Sequence, residues 1–177
     1  MKARAEAKAN LATRVKDAAF LEGDFVLSSG QRSRFYVDKY LFSTDPELLR
    51  DLAQEMARKL PEGTRRLAGV ELGAVPLVTA VSLETGLPYA IVRKSPKEHG
   101  GSAGRRVEGI LEPGERVALI EDVVTTGTQV LAAARGLAEA GAEVTKIVAV
   151  LDRRESGSGS LEGISFEALL TMRDMGV

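Results

Sequence analysis

The chain has 177 residues, 44% hydrophobic and 28% charged, with 24 Lys and Arg balanced by 25 Asp and Glu for a net charge of −1. That length suits one domain with a sizeable core, and near-neutrality excludes nucleic-acid binding by bulk charge, so any anion site must come from local clustering. The absence of cysteine excludes disulfides, thiolate metal sites and cysteine nucleophiles. No apolar run approaches the roughly 18 residues that span a membrane, and the N-terminus lacks the apolar centre of a signal peptide. A cytoplasmic protein with neither a nucleic-acid nor a membrane partner is expected.

Leu11, Val15, Ala18 and Ala19 recur at helical spacing and predict an amphipathic helix over about 3–20. Phe25-Val26-Leu27 and Phe35-Tyr36-Val37 read as two short strands around a Ser-Ser-Gly turn. A plain β-hairpin accounts for them, yet hydroxyls, Arg34 and aromatics packed into one hairpin also suit a cover over a planar ligand. Thr44 or Asp45 before Pro46 starts a helix whose apolar face is Leu48, Leu49, Leu52, Met56 and Leu60, ended by Pro61-Glu62-Gly63. The strand Leu67–Val70 then leads through the turn Glu71–Pro76 into a small-residue helix from Leu77 to Leu83.

Tyr89–Val92 is the next strand. After it, residues 93–106 hold five cations, three glycines and the chain's single histidine, His99. A solvated charged loop explains such a run, but cations on a glycine-rich loop beside a strand end also describe a lid for a polyanion. Further on, Val117–Ile120 is an apolar strand running into Glu121-Asp122, then the turn Val123–Gln129, then a helix carrying Val130, Leu131, Ala134, Leu137 and Ala138 that stops at Gly141. The turn's N–H groups and the helix start favour a phosphate. The two acids suit the hydroxyls of an adjacent sugar, or a divalent metal. Ile147–Leu151 is a strand ending in Asp152-Arg153, followed by a Ser/Gly stretch at 156–160 and a last strand near Phe166–Leu170.

Strands alternating with helices predict an α/β fold with a mostly parallel, doubly wound sheet. Ligands of such sheets bind beyond the carboxyl ends of the strands. Glu71–Pro76, Arg93 onward, Glu121–Gln129 and Asp152-Arg153 would therefore face one cleft. With no G-x-x-x-x-G-K-S/T and no G-x-G-x-x-G after a strand, nucleotidase and dinucleotide folds are unsupported. With one histidine and no cysteine, a zinc hydrolase is too.

Leu119-Ile120-Glu121-Asp122-Val123-Val124-Thr125-Thr126-Gly127-Thr128 resembles the phosphoribosyl-pyrophosphate (PRPP) signature of type I phosphoribosyltransferases. Phe25–Gly30 with Ser33, Arg93-Lys94 with Lys97, His99 and Gly100, and Leu151-Asp152-Arg153 resemble members of that family acting on orotate, in matching order over about residues 20–155. The resemblance implies one domain over 1–177, with an N-terminal helix and hood hairpin over 1–40 and a core over 41–177. It implies a pentosyltransferase moving ribosyl phosphate from PRPP to orotate in pyrimidine synthesis.

By position, the resemblance places Glu121 and Asp122 on the ribose hydroxyls and Val123, Val124, Thr125, Thr126, Gly127, Thr128 and Gln129 around the 5′-phosphate. It places Arg93, Lys94, Lys97 and His99 on PRPP, Thr125 and Arg153 on orotate, and Glu71–Ala74 at the pyrophosphate. Catalytic roles fall to Lys97, His99 and Asp122. The implied cofactor is Mg²⁺, held mainly through PRPP rather than by a defined set of protein ligands, and the implied assembly is a homodimer whose mobile loop is shared between subunits. Cations opposite a departing pyrophosphate are the largest available help to such a reaction, and no covalent nucleophile is needed. The chain departs from many relatives at Ser28, where they have lysine, and at Glu121, where they have aspartate; some carry lysine at Gly73. A transferase for another nucleobase, such as a purine, and a non-catalytic PRPP-binding regulator are the alternatives. Arg153 favours an acidic base over a purine, which has no carboxylate to pair.

Overall fold

A computed structural model describes residues 2–26, 30, 32–96, 106–154 and 159–177. Helix α1 (Lys2–Ala19) buries Leu11, Ala12, Val15 and Ala19 along one stripe. Strands β1 (Phe20–Val26) and β2 (Arg32–Val37) pair antiparallel as a separate two-stranded sheet. β1 begins at Phe20 rather than Phe25. The Phe20 and Phe35 rings stack with centroids 5.2 Å apart, and Phe25 meets Tyr36 at 5.6 Å, so cross-strand aromatic pairs extend the ladder. The expected Ser28-Ser29 turn lies outside the described residues.

A five-residue helix, α2 (Lys39–Ser43), follows, started by Asp38, whose carboxylate accepts from the Tyr40 N–H at 3.0 Å. No periodicity announces so short a helix. In α3 (Pro46–Ala57), Asp45 caps the Leu48 N–H at 2.7 Å, Pro46 takes the first position, and Leu48, Leu52, Ala53 and Met56 are buried. Strand β3 (Arg66–Val70) leads into α4 (Ala74–Thr85), which starts before the expected Leu77. Pro76 is accommodated inside its first turn, where a missing N–H leaves no partner unsatisfied.

Then come β4 (Tyr89–Val92), β5 (Val107–Glu108), β6 (Arg116–Val124), α5 (Thr128–Glu139), β7 (Glu143–Asp152), β8 (Gly159–Leu161), β9 (Ile164–Thr171) and a short 3₁₀ turn at Arg173–Met175. Seven strands form one sheet in the order β5-β4-β3-β6-β7-β9-β8. β4, β3, β6, β7 and β9 are mutually parallel, and only the short edge strands β5 and β8 run antiparallel. This is the expected α/β, mostly parallel architecture. On one face Leu52, Met56, Leu77 and Val81 pack on Leu67, Ile120 and Val148. On the other, Leu131 and Leu137 of α5 pack on Leu119, Ile147 and Phe166. Parallel β3, β4, β6 and β7 bring their carboxyl ends to one rim of the sheet, and with them the four segments expected to share a cleft.

Candidate active site

The acids are not a solvent-exposed tip. β6 runs on through them to Val124, leaving Glu121 and Asp122 only 4% and 2% exposed. Carboxylates are seldom buried without partners, and here the partners are specific. The Asp122 N–H donates to Glu121 Oε1 at 3.0 Å, the Val123 N–H donates to Asp122 Oδ1, and Lys39 Nζ lies 2.7 Å from Asp122 Oδ2. Burial, and then the neighbouring Asp122 charge, push the Glu121 carboxyl well above its ordinary range, against a smaller opposing pull from Lys39. Two adjacent buried carboxyl groups thus share one nearby ammonium, and the Glu121 carboxyl holds its proton more tightly than an exposed one would.

Two helix starts flank this pair on neighbouring strands. α5 begins after Gly127, whose φ of 86° is the left-handed conformation glycine tolerates, and which offers no capping side chain. Around it Thr126 Oγ1 accepts weakly from the Thr128 N–H at 3.3 Å, and Thr125, Thr126, Thr128 and Gln129 are exposed. Val123 is half-buried. Val124 is buried, offering packing, while its carbonyl accepts from the Arg153 N–H at 2.8 Å. α4 begins at Gly73, again with no side-chain cap. An ideal Cβ on Gly73 would fall 1.7 Å from Asp122 Oδ2 and 2.8 Å from Lys39 Nζ, so this second helix start presses directly on the acid pair and its lysine. Uncapped N–H groups and the positive helix end favour anions. A cradle results with anion-favouring ends on both sides of two carboxyl groups.

Arg153 follows β7, half-buried, its guanidinium carbon 5.7 Å from the centre of the Phe35 ring. The N-terminal hairpin and the end of β7 thus meet, as a cover over a planar ligand requires. Next to Arg153, the Arg154 guanidinium forks onto the buried Asp152 carboxylate at 2.9 and 3.0 Å and lies over the Phe166 ring at 4.4 Å, fixing the turn that carries Arg153.

After β4, Arg93 is half-buried and pairs with Glu108 at 3.6 Å, while its N–H donates to the Arg106 carbonyl at 2.7 Å. Lys94 is exposed, and its N–H donates to Glu71 Oε1 at 2.6 Å. Glu71 therefore ties the turn before α4 to the base of the basic loop. A cavity of about 210 Å³ opens here, bordered by Val70, Arg93, Lys94, Arg106 and Gln129. A larger one of about 560 Å³ between α1 and α3 takes in no residue of the four strand ends, and the Arg14 and Asp51 on its wall already pair with each other. The smaller cavity is the one bordered by cations of the basic segment, Arg93, Lys94 and Arg106, and by Gln129 of the α5 start. Lys97 and His99 lie outside the described residues.

Sequence reading missed one member of this site and one contact of another. Lys39 belongs to a helix too short to show a pattern, and no local signal links it to Asp122. Glu71 was placed at the pyrophosphate with its turn, but its bond to the Lys94 N–H was not foreseen; an acid among small residues directly after a strand was the available signal.

Residues 45–164 match the phosphoribosyl transferase domain family. An orotate phosphoribosyltransferase of Methanocella arvoryzae is 43% identical over 155 residues, covering 86% of this chain and 87% of the relative. The solved Leishmania donovani UMP synthase superposes with a TM-score of 0.82 at 32% identity, over 96% of this chain and 37% of that longer one. The Mycobacterium tuberculosis H37Rv orotate phosphoribosyltransferase, solved in complex with PRPP, superposes at a TM-score of 0.75 with 26% identity, over 97% of this chain and 99% of that one. The chain belongs to the phosphoribosyl transferase domain family, in its orotate phosphoribosyltransferase branch.

Proposed function

We propose that this protein transfers the ribosyl 5-phosphate of PRPP to N1 of orotate, giving orotidine 5′-monophosphate and pyrophosphate on the route to UMP. The observation that carries the reading is the buried Glu121–Asp122 pair set between the uncapped starts of α4 and α5. PRPP has the complementary form, with anionic groups at both ends of a ribose and hydroxyls between.

In this assignment the turn from Val123 to Gln129 holds the 5′-phosphate through its backbone N–H groups and hydroxyls, and Glu121 and Asp122 hold the ribose hydroxyls. As the bond from the anomeric carbon to pyrophosphate breaks, its electron pair leaves with the pyrophosphate. The new bond forms from N1 of orotate, which gives up its proton. Arg93 and Lys94, with Lys97 and His99 of the same loop, stabilise the charge on the leaving group, and Lys97 or His99 supplies a proton to it. Arg153 receives the orotate carboxylate with its planar fork, beside the exposed Thr125. Carboxylate oxygens are suitable donors for Mg²⁺. Among the described residues no cluster of three His, Cys, Asp or Glu groups converges, so the ion would be held mainly through the oxygens of PRPP, with the Glu121–Asp122 pair nearby. When bound, the ion neutralises pyrophosphate charge.

The whole chain, 1–177, works as one unit with residues 1–40 as its hood, and two copies form a homodimer in which the loop of one completes the site of its partner. Exposed Tyr40, Leu41 and Leu72, which flank the Lys39–Gly73 contact in the chain, offer an apolar surface for that association. No helix among the described residues is long and apolar enough to cross a membrane, and the protein acts in the cytoplasm.

The deciding experiment follows orotate by its ultraviolet absorbance with the full chain. Orotate is expected to disappear only when PRPP and Mg²⁺ are both present. Unchanged orotate with adenine or hypoxanthine consumed instead would overturn the assignment.

A further inference from the structure

We infer that Lys39 is a further cation on the pyrophosphate side of this site, beside those of the basic loop, supplied from the short helix after the hood and exchanged from Asp122 to the pyrophosphate of PRPP on binding. The inference rests on the proposed PRPP site and deepens it.

The turn between β3 and α4, Glu71-Leu72-Gly73-Ala74, has no cation of its own. Its one charged side chain is an acid, already engaged with the Lys94 N–H at 2.6 Å. A pyrophosphate at the start of α4 must draw its positive partner from another element. Lys39 reaches this place from α2: its Cε and Nζ lie 2.8 Å from where a Gly73 Cβ would be, so glycine at 73 is what makes room for it. An ammonium and the positive end of a helix repel each other when brought together. Their proximity needs an anion to join them, and without a ligand Asp122 is that anion.

The contact is of a kind that exchanges readily. Lys39 Nζ and Asp122 Oδ2 are 2.7 Å apart, but Oδ2 accepts no well-aligned hydrogen bond among the described residues, so the attraction is one of charge rather than of direction. Lys39 keeps 29% of its side chain exposed while Asp122 keeps 3%, so the lysine end of the pair opens outward. An ammonium has three N–H donors. Once the ribose hydroxyls engage Asp122, the freed ammonium and the N–H groups of α4 face the same side and receive the pyrophosphate together. The Lys39–Asp122 pair then serves two states: without PRPP it sets an ammonium against the buried acid, and with PRPP bound it releases a cation to the donor.

The test compares the wild type with Lys39→Met, which keeps the stem and removes the charge, Lys39→Gln, which keeps a polar end, and Lys39→Arg, which keeps the charge. Calorimetric binding of PRPP with Mg²⁺, of inorganic pyrophosphate and of orotate is measured beside steady-state KM values and melting temperatures. Loss of one charge-assisted contact predicts that Lys39→Met and Lys39→Gln weaken PRPP and pyrophosphate about tenfold to a hundredfold. Orotate should stay within about twofold and Lys39→Arg should recover most of the loss. PRPP and pyrophosphate affinities within about twofold of wild type in both neutral variants would overturn the inference. Equal weakening of orotate and PRPP with a lowered melting temperature would do so too, because a merely structural lysine gives that result. A wild type that binds PRPP and pyrophosphate but never consumes orotate refutes the proposed acceptor and leaves this inference standing. A wild type that binds neither refutes both.

Discussion

Replacing Gly73 by alanine adds one methyl group at the point where the start of α4 meets the acid pair. The backbone raises no objection. Gly73 has φ −67° and ψ −32°, an ordinary right-handed conformation open to any residue, so whatever the variant loses is lost through the side chain. The new Cβ would lie 1.7 Å from Asp122 Oδ2, against about 3.3 Å for a close carbon–oxygen contact. The carboxylate or the turn must give way by roughly the difference, about 1.6 Å, and a 2.7 Å ion pair does not survive that. Separating a fully buried pair costs about 3–5 kcal/mol. Lys39 is 29% exposed, so solvent takes up part of this, leaving about 1–3 kcal/mol. For a chain of this size that lowers the melting temperature by about 2–10 °C. Misplacing an acid that holds ribose hydroxyls by more than an ångström costs about a hundredfold in rate, so kcat/KM for PRPP should fall by about that factor, which is about 2.7 kcal/mol of transition-state stabilisation. Steady-state kinetics and a melting curve on one preparation measure both. A Gly73→Ala protein with kcat/KM for PRPP within twofold of wild type and an unshifted melting temperature would show that the turn does not constrain the acid pair.

Arg153→Lys keeps the charge but not the planar fork, and should raise KM for orotate about tenfold or more while leaving KM for PRPP within twofold; equal effects on both substrates would remove Arg153 from the acceptor side. Glu121 is held above its ordinary pKa of 4.5, so the folded protein keeps a proton that the unfolded chain has lost, and stability falls as pH rises from about 4.5 through the raised value. Glu121→Gln, neutral throughout, should flatten that fall above about pH 4.5 in urea unfolding, and superimposable pH profiles for the two proteins would show that Glu121 is not raised.

Much of this fold is local in origin, which is why the sequence carried it. Four residues, Tyr89–Val92, form β4 as read, because apolar β-formers between a Pro and an Arg have few other uses. Asp45-Pro46 started α3 because capping and a fixed proline φ act within one turn. Alternation of strands with helices determined the parallel sheet, and with it the convergence of four strand ends on one rim. The PRPP-like turn was equally legible, since its strand, acids, glycine and helix start are contiguous.

Tertiary structure decided the electrostatic state of those contiguous residues. The sequence placed Glu121-Asp122 between the end of an apolar strand and a turn. The sheet carries β6 past them and buries both, and that burial raises Glu121 and makes a lysine necessary. Which lysine was also a matter of the fold: Lys39 and Asp122 are far apart in the chain and belong to a five-residue helix and a central strand, which meet because α2 packs where Gly73 leaves a gap. Arg153 was legible as a cation after a strand, but its place beside Phe35 depends on the hairpin reaching over the sheet. Local propensity decides which segments are strands and helices. Which charges face one another across the rim is set by long-range packing, and charges brought together that way leave no periodic trace in the sequence.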